Sequence, residues 1–298
     1  MSERRATPPA TRGLVAALAV AGMVMVMVTR SFPYQTPSSS SAHASRTWLE
    51  LLTDVTVPAT SLSVASVPPH IVFILADDLS WNALGGFDAD SDIAFAAPGL
   101  QALATQGIRM TNYYAQELCT PSRAALLTGR YPVSMGMQYG TVLASKPWGM
   151  PLDETTVAEV LRAAGGYKTH AIGKWHLGHH TANYLPTARG FDTFTGYLDG
   201  ENNYFSKRDP QNLGYRDFMT SDAACYYVYN KTDVGTYSTR LYRDLAIDVI
   251  NAHDAATAPL FLYLAFQVTV ARSNRLAHEP SPHLLSSSPC SSGRTFAV

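Results

Sequence analysis

Two uninterrupted apolar runs stand out along the chain. His70 to Ala76 (His-Ile-Val-Phe-Ile-Leu-Ala) ends directly in Asp77-Asp78, and Pro259 to Gln267 reads Pro-Leu-Phe-Leu-Tyr-Leu-Ala-Phe-Gln. Runs of this length without polar alternation predict strands covered on both faces, as in a parallel sheet. Tyr167 to Gly173 predicts a further strand. Between these runs the apolar positions take a helical rhythm. A helix is predicted over Ala97 to Gly107, opened by Pro98, and a second over Pro121 to Leu127, with Gly129 as its stop. A third spans Thr155 to Ala164, with acidic Asp153 and Glu154 as its early cap and Gly165-Gly166 at its close. Tyr242 to His253 predicts a fourth. Strands alternating with helices make βαβ units, hence an α/β layered fold.

The flanks break this pattern. Arg4, Arg5 and Arg12 precede an apolar stretch from Leu14 to Val28. That stretch is short of the roughly 20 residues that span a bilayer. It predicts a signal peptide or an uncleaved signal anchor over residues 1–30. Residues 31–67, rich in Ser, Thr, Pro and Ala, predict a linker, and 68–280 the folded domain. Residues 281–298 are Ser- and Pro-rich and predict a tail.

Composition narrows the partners. With 298 residues and 46% apolar content, a sizeable core is possible. A net charge of −1 argues against nucleic-acid binding through a basic surface, but leaves room for a small anion held by local cations. The cysteines are Cys119, Cys225 and Cys290, an odd count that leaves at least one unpaired within the chain. Asn230-Lys231-Thr232 is an N-glycosylation sequon.

Three places carry candidate chemistry. Asp77 and Asp78 follow a buried strand, where α/β sheets place ligand sites. Adjacent carboxylates either hold a hard cation or stand solvated in a loop. Cys119 precedes Pro121 and therefore sits at a helix N-terminus, where backbone N–H groups favour negative charge. Arg123 lies one turn on. In Gly173-Lys174-Trp175-His176, alternation points Lys174 and His176 to one side, a pairing suited to gripping an anion and moving a proton. The plainer alternative is a solvent-facing Lys beside a satisfied His. His179 and His180 lack a second ligand pair for a metal.

The run from Cys119 to Arg130 (Cys-Thr-Pro-Ser-Arg-Ala-Ala-Leu-Leu-Thr-Gly-Arg) resembles the signature of the type I, formylglycine-dependent sulfatases. Ile71–Trp81, Asn112–Pro132, Ile172–Gly178, Leu185–Leu198 and Pro259–Gln267 match that family in order, most closely its arylsulfatase B, N-acetylgalactosamine-4-sulfatase branch. The resemblance covers roughly residues 69 to 268. It implies an alkaline-phosphatase-like α/β fold with a central, mostly parallel mixed sheet flanked by helices. It implies conversion of Cys119 to formylglycine by a generating enzyme of the endoplasmic reticulum. One hydroxyl of the hydrated aldehyde attacks the sulfur of a sulfate ester, and the other regenerates the aldehyde. Asp77, Asp78 and residue 119 would hold one calcium ion. Arg123 would stabilise the hydrate, Lys174 would grip a sulfate oxygen, and His176 would assist proton removal.

The resemblance changes after Gln267. Val268 to Ala277 reads as an insertion before His278-Glu279-Pro280; the resemblance implies a leaving-group histidine in a His-x-Pro turn soon after this strand, and His278 is either that histidine, displaced by the insertion, or a chance match. The family's Asp-Asn calcium ligands and later Lys do not appear before Val298. The expectation is an incomplete catalytic domain, with poor folding and little activity. The implied substrate is a sulfated sugar or an aryl sulfate ester. The implied location is the secretory pathway, lysosomal or extracellular, with membrane contact only through an N-terminal anchor. A formylglycine-dependent phosphodiesterase or phosphonate hydrolase, and an inactive sulfatase-like protein, stand as alternatives.

Overall fold

Among the described residues, the strand latest in sequence lies inside the sheet rather than at its edge. The computed structural model describes residues 68–79, 98–110, 112–144, 146–209, 215–222 and 234–267, with the backbone of 17–19. Its strands are β1 (Ala17–Ala19), β2 (Ile71–Leu75), β3 (Ile108–Met110), β4 (Lys168–Lys174), β5 (Thr193–Tyr197), β6 (Met219–Asp222) and β7 (Leu260–Ala265). Its α-helices are α1 (Pro98–Gln106), α2 (Cys119–Thr128), α3 (Val157–Gly165) and α4 (Ser238–Ala252). The main sheet has the order β2-β7-β4-β5-β6. Its pairings are parallel except for β6, which runs antiparallel to β5. A separate parallel pair joins β1 and β3.

The uninterrupted apolar character of β7 follows from this position. Alternate side chains point to opposite faces of a strand. Leu260, Leu262 and Leu264 pack on one face with Tyr242 and Ala246 of α4. Phe261, Tyr263 and Ala265 pack on the other with Ala124 and Leu127 of α2. Both faces are covered, so neither set of positions tolerates polar residues.

Helix α2 ends where Gly129 takes a left-handed conformation (φ 68°) and donates its N–H to the Ala125 carbonyl at 2.8 Å. The cap of α3 differs from the expected acidic one. Thr156 accepts from the Glu159 N–H at 3.1 Å, and Glu159 accepts from the Thr156 N–H at 2.6 Å, a reciprocal capping box. Glu154 serves elsewhere, accepting from Arg130 at 2.7 Å. Arg189, buried in the Leu185–Leu198 segment, donates to the carbonyls of Met150, Pro151 and Glu154 and so binds the approach to α3.

Among the described residues no helix is long and apolar enough to cross a membrane. His278, Asn230, Cys225, Cys290, the predicted linker and tail, and the predicted signal apart from 17–19, lie outside the described residues.

Candidate active site at the carboxyl edge of the sheet

Parallel strands deliver their carboxyl ends to one edge, where α/β proteins build sites. Asp77 lies two residues past β2, Lys174 is the last residue of β4, and His176 follows two residues later. Asp199 lies two residues past β5, and Gln267 two past β7. Cys119 is the first residue of α2, so the helix N-terminus meets the same edge.

The central group is Asp77. Lys174 Nζ donates to its Oδ2 at 2.6 Å, and Arg123 Nη2 to its Oδ1 at 3.1 Å. The same Lys174 Nζ lies 3.2 Å from Cys119 Sγ, and the thiol lies 3.6 Å from Asp77 Oδ1. Arg123 also donates to the Lys174 carbonyl at 2.8 Å and to Tyr263 Oη at 3.3 Å, so it ties β2, β4 and β7 together from below. Lys174 is 1% exposed and Arg123 2%, which removes the solvent-facing alternative for the lysine. Burial pushes the Asp77 carboxyl up, but Arg123 and Lys174 outweigh it and lower its pKa to about 2.

Lys174 and His176 do not share a side by strand alternation. His176 has a positive φ of 58°, which breaks the extended path after β4. Its ring is fixed instead by contacts the sequence did not reveal. Nε2 lies 2.9 Å from the Val142 carbonyl, an acceptor, so Nε2 carries the proton. Thr120 donates to the His176 carbonyl at 3.0 Å and accepts from the Val142 N–H at 3.1 Å. Nδ1 is buried without a hydrogen-bond partner. Burial, with Lys174 and Arg123 nearby, lowers the imidazole pKa to about 3, so the ring is neutral with a lone pair on Nδ1.

The thiol of Cys119 is not activated. Burial raises its pKa; Lys174 opposes this and Asp77 reinforces it. Helix N-termini and a lysine commonly produce a thiolate, but here the carboxylate and the desolvation prevail. The sulfur itself is therefore a poor nucleophile.

Ligand atoms of Asp77, Asp78 and Cys119 lie within 4.8 Å of one another. Asp78 is exposed and reaches this position through a positive φ of 53°. Two carboxylates suit a hard cation such as calcium, which takes six to eight oxygens, as part of its shell. A thiol is a soft ligand. Residue 119 fits the hard cation in a form that presents oxygen. His179 and His180 are not in this cluster: His179 Nδ1 stands 3.6 Å from Asp199 Oδ1, and His180 packs on Tyr184 at 4.2 Å between ring centroids.

Cys119, Asp78, Lys174 and His176 line one pocket, together with Asp199 and Glu201. The last two escaped the sequence reading, because only the β4–β5 pairing brings them to this edge. Gly200 between them lies close to the imidazole: a Cβ there would stand 2.7 Å from His176 Cε1, so the ring would have to shift.

A buried lysine, a neutral imidazole and a helix N-terminus converging on one pocket define an anion-handling α/β site. The sulfatase family model matches residues 69–269, and the chain belongs to the sulfatase family. Its fold is the α/β, alkaline-phosphatase-like one of that family, with the mostly parallel mixed sheet described above. It is 40% identical over 202 residues to mouse arylsulfatase J, covering 67% of this chain and 32% of that protein. It is 51% identical over 140 residues to human arylsulfatase A, covering 46% and 27% respectively. Mouse N-acetylgalactosamine-6-sulfatase is 34% identical over 217 residues, covering 70% and 41%. The chain thus spans about a third of the length of arylsulfatase J (32%). Among solved structures, the PsFucS1 sulfatase from Pseudoalteromonas sp. is similar at 26% identity and a TM-score of 0.47, covering 60% of this chain and 39% of that one.

Proposed function

We propose that this chain carries the nucleophile and the sulfate-binding groups of a sulfuric ester hydrolase acting on a sulfated sugar or aryl sulfate. The observation that carries this reading is Cys119 at the start of α2, 3.2 Å from the buried Lys174 ammonium. Formylglycine made from Cys119 supplies a hydrated aldehyde, an oxygen nucleophile that the neutral thiol cannot match. Lys174 binds a sulfate oxygen and neutralises charge as it develops there. Asp77 keeps that ammonium aimed, and Arg123 keeps Asp77 in place. His176 takes a hydroxyl proton on Nδ1, the nitrogen left open by the bond from Nε2 to Val142. Asp77, Asp78 and an oxygen on residue 119 would hold a calcium ion, which supplies Lewis-acid polarisation of the sulfate.

Entry into the secretory pathway, in keeping with the basic residues before Leu14–Val28, would bring the chain to the generating enzyme. N-glycosylation at Asn230 and a leaving-group role for His278 belong to the same reading.

The test is expression in a formylglycine-competent cell, with peptide mass spectrometry over residues 111–130 and an aryl sulfate assay. An aldehyde or hydrate at residue 119, with whatever turnover the chain supports lost in Cys119→Ala, is the expected result. An unmodified thiol in every molecule, with turnover indifferent to that substitution, overturns the proposal.

A further inference from the structure

The pocket is lined by groups of opposite character. Lys174 is a donor and a cation. Asp199 and Glu201, which follow β5, and Asp209 from a neighbouring segment are acceptors, and all three line the same pocket. Asp199 is 5% exposed. Its Oδ2 accepts from Tyr215 Oη, but its Oδ1 has no hydrogen-bond partner. His179 Nδ1, at 3.6 Å, is too far to donate.

These acceptors are held from behind. Asp217, itself buried, accepts from the backbone N–H groups of Leu198 at 2.9 Å and Asp199 at 2.8 Å. Gly200 packs directly on the His176 ring. The orphan oxygen of Asp199 is therefore held in place on a residue that lines the pocket.

A buried acceptor without a donor costs free energy until a donor arrives. Sulfate brings none. The alcohol half of the ester does, if it carries hydroxyl or amide groups. A second sulfate or a carboxylate beside these acceptors would meet like charge.

We propose that Asp199, with Glu201 and Asp209, is a specificity-determining group that accepts a hydrogen bond from a sugar hydroxyl or amide and disfavours substrates bearing a second anion beside the scissile sulfate. The favoured class is a singly sulfated neutral sugar. This rests on the sulfate-ester reading above.

The test compares an aryl sulfate, a monosulfated N-acetylhexosamine and its disulfated counterpart at pH 8. At that pH Asp199 is ionised, although burial, Asp217 and Asp209 push its carboxyl up to about 7. The wild-type chain is expected to prefer the monosulfated sugar by about tenfold or more in kcat/KM, and Asp199→Asn to reduce that ratio to about threefold or less. An equal ratio in wild type and variant, or no preference in wild type, overturns the proposal. Absence of aryl sulfate turnover in the wild type counts against the sulfate-ester reading instead. The same ratio is then taken from dissociation constants by calorimetry, with the same two outcomes. If Asp199→Asn does not fold, Glu201→Gln carries the comparison.

Discussion

Lys174 Nζ lies 2.6 Å from Asp77 Oδ2, with both side chains almost completely buried. Removing one member of such a pair leaves an uncompensated charge. Arg123 still faces Asp77, which limits the damage. Lys174→Met is expected to destabilise the fold by about 3 kcal/mol, read by urea denaturation. Turnover of an aryl sulfate is expected to fall by about 10²–10³. Wild-type turnover in the variant would remove Lys174 from the sulfate site.

His176 sets a pH dependence. Its folded pKa, about 3, lies below the ordinary 6.5, so the unfolded chain binds more protons between those values. The stability that depends on a neutral His176 is complete above pH 6.5 and is lost as pH falls towards 3. Asp199 and Asp217, raised to about 7 and about 6, slope the other way: their contribution is full below 3.8 and is lost as pH rises. The wild-type curve mixes these effects, so the informative quantity is wild type minus His176→Gln. That difference in stability is expected to shrink as pH is lowered from 6.5 to 3. A difference constant with pH would show that the ring is not held neutral.

Two glycines separate folding from catalysis. At Gly173, φ is 102° and a Cβ would lie 1.8 Å from the Ala265 carbonyl oxygen in the middle of the sheet. Gly173→Ala is expected to cost more than about 4 kcal/mol and to give insoluble protein. Gly200→Ala would press on a side chain, the His176 ring, rather than on backbone. It is expected to lower turnover about 10²-fold through misplacement of that ring, while the melting temperature falls much less than for Gly173→Ala.

Calcium binding is measurable without catalysis. If Asp77, Asp78 and residue 119 hold the ion, calcium at a hundredfold excess over its dissociation constant raises stability by about 2.7 kcal/mol. A chelator is expected to lower the melting temperature of wild type and to leave Asp78→Asn nearly unaffected. No shift in wild type would exclude the ion from this site.

The cap of α3 offers a check on the scaffold. Thr156→Ala removes the side-chain acceptor for the Glu159 N–H and is expected to cost about 1 kcal/mol, with kcat unaltered, because the helix start lies away from the pocket residues.

Much of this arrangement was legible in the chain. β2 and β7 announce themselves as unbroken apolar runs, because strands buried on both faces admit nothing else. Gly129, Gly165 and Gly166 mark where α2 and α3 stop. Cys119, Arg123, Lys174 and His176 were identifiable from local motifs, and the sheet brings them within reach of Asp77. The rest was hidden for physical reasons. β5 reads Thr-Phe-Thr-Gly-Tyr and β6 Met-Thr-Ser-Asp, too short and too polar to register. Asp199 acquires meaning only once β5 is paired with β4. His176 takes a positive φ rather than simple alternation, and its carbonyl and ring are held by Thr120 and Val142, residues distant in sequence that no periodicity links.

The place of β7 also governs the order of assembly. β2 and β4 do not pair with each other; each pairs with β7, which comes from the far end of the described chain. During synthesis, both earlier strands must wait with open hydrogen-bonding edges until Leu260–Ala265 has left the ribosome. Such long-range parallel pairing is slow, and open edges invite intermolecular pairing. Asp77 and Lys174 meet across that late strand, and Tyr263 on it receives a bond from Arg123. The anion site is thus a late product of folding, and a nascent chain halted before β7 would present aggregation-prone edges to chaperones rather than a partly working pocket.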